Sequence, residues 1–311
     1  MRWTVVPVLV TLLIIPGAAR EKAGFADRPV RIVATMFPLA EFARAVSGEQ
    51  GVVHTLIPPG AEVHSWRPRP SDIVRVSKAD LFIYVGGGME PWVDDLLESA
   101  RRPERVVLEA SRGLDLMIRD EEPRGEGGHA HKGGHVVDPH IWLDFGFDQN
   151  IVGRISRHLC GISPGHSEIF QTNAEAYRKR LEELDRIYAE KLADHAGEIF
   201  VLGGHAAFGY LARRYGLRQE ALYGLSPNAK PTPRQMIRII ETARQHEIRV
   251  IYFEVQVSDE LAGIIAREAG AETAVLNPGA NLTRRQREGG VTFIDIMLDN
   301  LRALENGFRK R

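Results

Sequence analysis

The sequence predicts an α/β fold of two lobes, each built on a mainly parallel sheet with flanking helices, joined by one long bridging helix. Three observations lead there. Short β-branched runs alternate with helical stretches, the pattern of β-α-β units. That alternation occurs twice, once in each half of a 311-residue chain whose 44% hydrophobic content can fill two cores. Between the halves, from Gly165 to Gly197, no proline or glycine interrupts the chain.

In the first half the expected strands are Val30 to Thr35, Val52 to Ile57, Leu81 to Gly86 and Arg105 to Ala110. Helices fall between them. Pro38 to Val46 is amphipathic, Ser71 stands as a cap before "DIVRVSKA", and "WVDDLLESA" follows Pro91, a good first-turn residue. In the second half the strands are Glu198 to Gly204, Ile248 to Glu254 and Glu272 to Asn277. Their helices are "AAFGYLARRYG", "TPRQMIRIIETARQH", "SDELAGIIAREAG" and "TFIDIMLDNLRALENG". The bridge opens on the start signals Ser163 and Pro164 and carries leucines and tyrosines at spacings of three and four. At about 1.5 Å per residue it spans roughly 40 Å, a stiffer connection than a flexible linker. The expected organisation is a signal peptide at residues 1–19, a first lobe at 29–160 with a histidine-rich loop at 121–137, a linking helix at 163–197 and a second lobe at 198–308.

The signal peptide rests on Arg2, an uncharged run from Trp3 to Pro16, and the small residues Gly17 and Ala19 before Arg20. The run is shorter than the roughly 20 residues a spanning helix needs. An uncleaved anchor is the other reading. The single cysteine, Cys160, allows no intramolecular disulfide, gives no lipid-anchored cysteine after cleavage, and reads as a buried helix-end residue. The expectation is a periplasmic or otherwise extracytoplasmic protein, soluble once cleaved and monomeric. Lysine plus arginine (40) nearly cancel aspartate plus glutamate (41), so no bulk attraction to nucleic acid or an anionic membrane is indicated.

Ligands of open parallel sheets bind beyond the carboxyl ends of the strands. Polar residues collect at those ends: His64 in "IPPGAEVHSWRPRPSD", His205 after "FVLGG", Glu254 ending "VIYFE", Asn277 ending "AVLN", and His140 opening "HIWLD". Three imidazoles on separate loops, with a carboxylate and an amide near them in the topology, suit a four-coordinate zinc-like site. Asp138 and Asp144 flank His140 and either orient its ring or cap and turn the chain. "GGGME" at Gly86 to Glu90 lacks the spacing of a dinucleotide or phosphate loop and reads as a turn. H-E-x-x-H and G-x-S-x-G signatures are absent, which argues against an enzyme.

Taken in order, "IVATMFPLAEFARAVSG", "GAEVHSWRPRPSDIVRVSKADLFIYVGGGMEPW", "DPHIWLD", "GGHAAFGYLARRYGL", "GLSPNAKPTPRQM" and "IYFEVQVS" resemble the metal-specific solute-binding proteins of ABC importers, the zinc and manganese group. The resemblance covers essentially the whole mature chain. It implies two α/β lobes on a rigid helical bridge, and His64, His140 and His205 as metal ligands. The family's fourth ligand is commonly an aspartate in the loop that reads "LNPGANL" here, where Asn277 matches it. The fourth position is therefore open between Asn277, water, Glu254 and Glu62, with Glu254 placed first behind the ligands. Three histidines favour Zn2+ over Mn2+. The implied function is capture of Zn2+ and its delivery to a membrane permease with its ATPase subunit. A manganese- or iron-binding member, a zinc hydrolase with Glu254 as general base, and an adhesin-like or metallochaperone relative are the alternatives.

Three further histidines, His129, His131 and His135, sit among Gly125, Gly127, Gly128, Gly133 and Gly134 after an acidic stretch, a composition unlikely to order by itself. They are expected to gather metal weakly, as an accessory to the principal site.

Overall fold

The computed structural model describes residues 28–120, 135–225, 231–254 and 260–309. In chain order these form β1 (Val30–Ala34), α1 (Phe37–Ser47), β2 (Gly51–Thr55), α2 (Pro70–Ser77), β3 (Leu81–Tyr84), α3 (Val93–Ser99), β4 (Val106–Glu109), β5 (Ile118–Asp120), β6 (His135–Val137), α4 (Phe145–Ile162) and α5 (Ser167–Leu192). The second half supplies β7 (Ile199–His205), α6 (Gly209–Tyr215), β8 (Arg218–Tyr223), α7 (Pro233–Gln245), β9 (Val250–Phe253), α8 (Glu260–Ala269), β10 (Glu272–Val275), α9 (Arg284–Glu288) and α10 (Phe293–Phe308). The first sheet runs β2-β1-β3-β4 and the second β10-β9-β7-β8, every pair parallel; β5 and β6 form a small antiparallel ribbon. This is the predicted fold class.

Each sheet is covered on both faces, as parallel sheets require. The outer faces carry separate cores, Val33, Phe82, Trp92 and Leu96 under α2 and α3, and Val201, Ile239, Ile251 and Ile265 under α7 and α8. The inner faces share one core that runs from Val30 of β1 to Phe308 of α10. Helix α5 joins them. Its buried stripe is Phe170, Ala174, Tyr177, Leu181, Leu184, Tyr188 and Leu192, at the three- and four-residue steps of one helical face. The Tyr177 hydroxyl donates to Glu41 of α1 (2.7 Å), and the Tyr188 hydroxyl donates to the Met297 carbonyl of α10. One helix is thus packed into both halves of the molecule.

Several local expectations need correction. Ser71 does not cap α2: Pro70 is already its first residue, and the Asp72 carboxylate accepts from the Arg69 backbone N–H (2.9 Å). Cys160 is only half-buried, two residues inside the end of α4. Helix α4 and strand β8 carry weak sequence signals. Gly146, Gly153 and Gly161 dilute the first, and the polar Arg218, Gln219 and Glu220 of an edge strand mask the second. Strand β6 draws His135 out of the histidine-rich stretch into a ribbon with Asp120; His129 and His131 lie outside the described residues, as does the signal region. The "GGGME" segment is a turn, with Gly86, Gly87 and Gly88 all at positive φ (80°, 59° and 89°). The buried Glu90 side chain holds it by accepting from the Gly86 and Val85 N–H groups and the Thr35 hydroxyl.

Candidate metal centre

Three histidines from distant parts of the chain meet between the sheets. His64 comes from the loop after β2, His140 from the segment before α4, and His205 is the last residue of β7. One nitrogen from each lies within 4.8 Å of the other two, and the ring centroids are 5.2 to 5.3 Å apart. His140 and His205 are almost fully buried and His64 is half-buried.

Local geometry explains why each ring arrives. The register of β7 against β8 shifts between Leu202 and His205, re-aiming the strand end. Of the two preceding glycines, Gly203 is required by the backbone of α8 beside it, and Gly204 leaves room for the Glu254 carboxylate. A Cβ on Gly203 would stand 2.7 Å from the Ala262 Cβ of α8, and one on Gly204 would stand 2.9 Å from Glu254 Oε1. The His64 turn is closed by Glu62, whose carboxylate accepts from the His64 N–H (2.9 Å) and the Ser65 N–H (2.7 Å). Both oxygens of Glu62 therefore serve the backbone of the turn.

Behind two of the rings stand buried carboxylates. His140 Nδ1 lies 2.8 Å from Asp138 Oδ1, and Asp138 is held in turn by Arg119 Nε (3.2 Å). The Tyr210 hydroxyl reaches the Asp138 carbonyl (2.8 Å). Burial works against ionisation of Asp138, but the His140 hydrogen bond and the Arg119 charge hold its carboxyl below the ordinary aspartate range. Gly209 makes room for this ion pair, since a Cβ there would collide with the Arg119 guanidinium. His205 Nδ1 lies 2.6 Å from Glu254 Oε1, an ion-pair distance that does not meet the directionality of a hydrogen bond. Of the two aspartates flanking His140, one therefore orients the ring. The other, Asp144, caps α4 by accepting from the Gly146 N–H (2.9 Å) and pairs with Arg214 (2.8 Å).

The electrostatics favour neutral imidazole at His64 and His140. Burial, together with the neighbouring His140 and His205, pushes His64 down to about 2, and burial lowers His140 as well, against the opposing pull of Asp138. At His140 the Asp138 carboxylate favours the tautomer with its proton on Nδ1 and leaves the Nε2 lone pair free. His140 Nε2 and His205 Nε2 lie 3.2 Å apart. At that distance one ring can donate to the other, and when both present lone pairs a cation between them removes their repulsion. Three converging imidazoles, two of them buried beside carboxylates, form a donor set for a borderline-soft divalent metal.

The remaining sequence candidates fall around this cluster. Glu254 Oε1 lies at the far nitrogen of His205, away from Nε2. Asn277 is partly buried and its Oδ1 accepts from the Gly279 N–H (2.9 Å). Exposed His135 lies in β6, three residues before Asp138. Sequence reasoning missed Arg119, Tyr210 and Trp142; the Trp142 ring lies 5.4 Å from that of His140. An apolar residue two places beyond His140 was the only available signal for Trp142.

Known proteins share this architecture. Residues 32–307 match the profile of the family described as zinc-uptake complex component A, periplasmic. The chain is 35% identical over 278 residues to the high-affinity zinc uptake system protein ZnuA of Bacillus subtilis, covering 89% of this chain and 87% of that one. It is 37% identical over 281 residues to the zinc-binding lipoprotein AdcA of Streptococcus pneumoniae, covering 90% of this chain but only 56% of that longer protein. The crystal structure of the Zn(II)-bound ZnuA-like domain of the same AdcA superposes with a TM-score of 0.76 at 34% identity, covering 91% of this chain and all of that domain.

Proposed function

The chain belongs to the family of periplasmic zinc-uptake components, and from that premise we propose that it captures Zn2+ outside the cytoplasm through His64, His140 and His205 and passes it to the permease and ATPase of an ABC importer. The observation that carries this reading is the convergence of three imidazole nitrogens within 4.8 Å, two of them on rings backed by buried carboxylates. The family is one of transport proteins, not enzymes. Glu254 supports this, since a carboxylate engaged with a ligand's far nitrogen orients that ligand instead of acting as a general base on bound water.

Zinc suits the site for chemical reasons. It accepts tetrahedral nitrogen coordination without penalty, whereas manganese prefers oxygen donors and more of them. With both Glu62 oxygens accepting from the turn and Asn277 Oδ1 accepting from Gly279, water is the best candidate for the fourth position. Among the described residues no helix is long and apolar enough to cross a membrane. In this reading residues 1–19 direct export and are removed, the lobes span 29–160 and 198–308, and 163–197 bridges them.

Calorimetric titration of metal-stripped protein tests the proposal. One tight equivalent of Zn2+, undisturbed by excess Mn2+, is expected. No tight zinc would overturn the function, and displacement by Mn2+ would move the chain to the manganese branch.

A further inference from the structure

The loop from Asn277 to Leu282 follows β10 and belongs to the second sheet, yet it fastens onto both histidine-bearing segments of the first half. Asn281 is only 5% exposed. Its Nδ2 donates to the carbonyls of Pro58 (2.8 Å) and Ala61 (2.9 Å), and its Oδ1 accepts from the Leu282 N–H (2.9 Å). The Gly60 N–H then donates to the Leu282 carbonyl (2.8 Å). These bonds hold the turn that leads directly into His64. On its other side the loop accepts a hydrogen bond from Trp142 Nε1 through the Pro278 carbonyl (2.7 Å), two residues from His140.

The loop is itself anchored. Buried Asn300 of α10 accepts from the Asn277 N–H (2.8 Å) and donates to the Asn277 carbonyl (2.7 Å). From Asn277 to Thr283 there is no aspartate, glutamate, histidine or cysteine. The loop reaches the metal centre with bonds to other segments and brings no charged donor of its own.

We propose that Asn281 is a positioning residue for metal binding, and that its loop is a clamp between the two halves which fixes His64 opposite His140 and His205. The proposal rests on the functional reading above. Its physical basis is the difference among the three rings. His140 and His205 each have a carboxylate at Nδ1, whereas among the described residues the His64 ring has no hydrogen-bond partner. Its place depends on the backbone beneath it. Removing the Asn281 amide leaves the Pro58 and Ala61 carbonyls without that donor and frees the turn to move.

The test compares Asn281→Ala in the wild-type and His64→Ala backgrounds of the full chain. Zinc affinity is read by competition with a chromophoric chelator, and coordination by the visible spectrum of the Co2+-substituted protein. We expect Asn281→Ala to weaken zinc about 10-fold, the scale of a lost supporting contact, with faster release and a weakened tetrahedral Co2+ band. In the His64→Ala background the same change should cost less than about twofold, because the residue acts through His64. Unchanged affinity, or equal loss in both backgrounds, overturns the proposal. Asn281→Ser keeps one donor and should lose less with the same coupling; it decides the matter if the alanine variant does not fold. Failure of the unaltered protein to bind zinc is a separate result and strikes the functional reading alone.

Discussion

His140 and His205 are held from behind, whereas His64 is held from below. The first two are buried rings, each with a carboxylate at its far nitrogen, Asp138 for one and Glu254 for the other. The third is half-buried, and its ring placement comes from a turn closed by Glu62 and pinned by Asn281. The difference teaches that a three-histidine site can be half preorganised. Two rings have a buried carboxylate beside the far nitrogen, while the third depends on how the two halves of the molecule meet.

The largest effect should come from deleting a carboxylate-backed ligand. His205→Ala or His140→Ala is expected to weaken zinc by roughly 10²- to 10⁴-fold, about a third of a binding free energy of some 10–16 kcal/mol. Chelator competition measures this, and a change under about tenfold would break the assignment of these rings as the anchored pair. Next is the support behind the ring. Asp138→Asn should cost about 10- to 100-fold in affinity while the ligand itself remains. If it costs nothing, the carboxylate does not fix the tautomer and the contrast with His64 loses its basis.

A third prediction sets a partnered carboxylate against an unpartnered one. Asp148 of α4 is fully buried, with neither oxygen hydrogen-bonded among the described residues. Burial raises its carboxyl well above the usual range, nearby Asp144 adds to this, and Arg214 opposes it. The folded chain therefore keeps a proton that the unfolded chain releases near pH 4, so Asp148 lowers stability progressively as pH rises above about 4. Asp148→Asn should raise the melting temperature by a few degrees at about pH 8 and by much less at about pH 4.5. A pH-independent gain would mean that packing, not ionisation, separates the two side chains. The smallest effect concerns residues 124–134. Removing them should leave tight binding unchanged and abolish only weaker additional zinc, as a calorimetric titration would show; loss of the tight site would tie this stretch to the principal centre.

How much of this was legible depended on whether a residue acts through its type or through its neighbours. The two parallel sheets and the long helix follow from β-branched runs and an uninterrupted amphipathic stripe, signals written in local sequence. The three histidines could be named because strand ends are where such sheets bind ligands. Asp138 and Asp144 were recognised as a pair with two possible jobs, and only the fold assigned one job to each. Arg119, Tyr210 and Asn281 carried no signal, since what they do is set by partners tens to hundreds of positions away. Strand β8 was hidden for a related reason: an edge strand with one wet face need not look like a strand.

The shared core around α5 has a consequence for the order of events in the life of the chain. A site whose candidate ligands span the 141 positions from His64 to His205, and whose surroundings belong to one core running from β1 to α10, needs both halves of the chain folded together. With these three rings as the ligands, tight zinc retention would report that both halves of the chain have folded together.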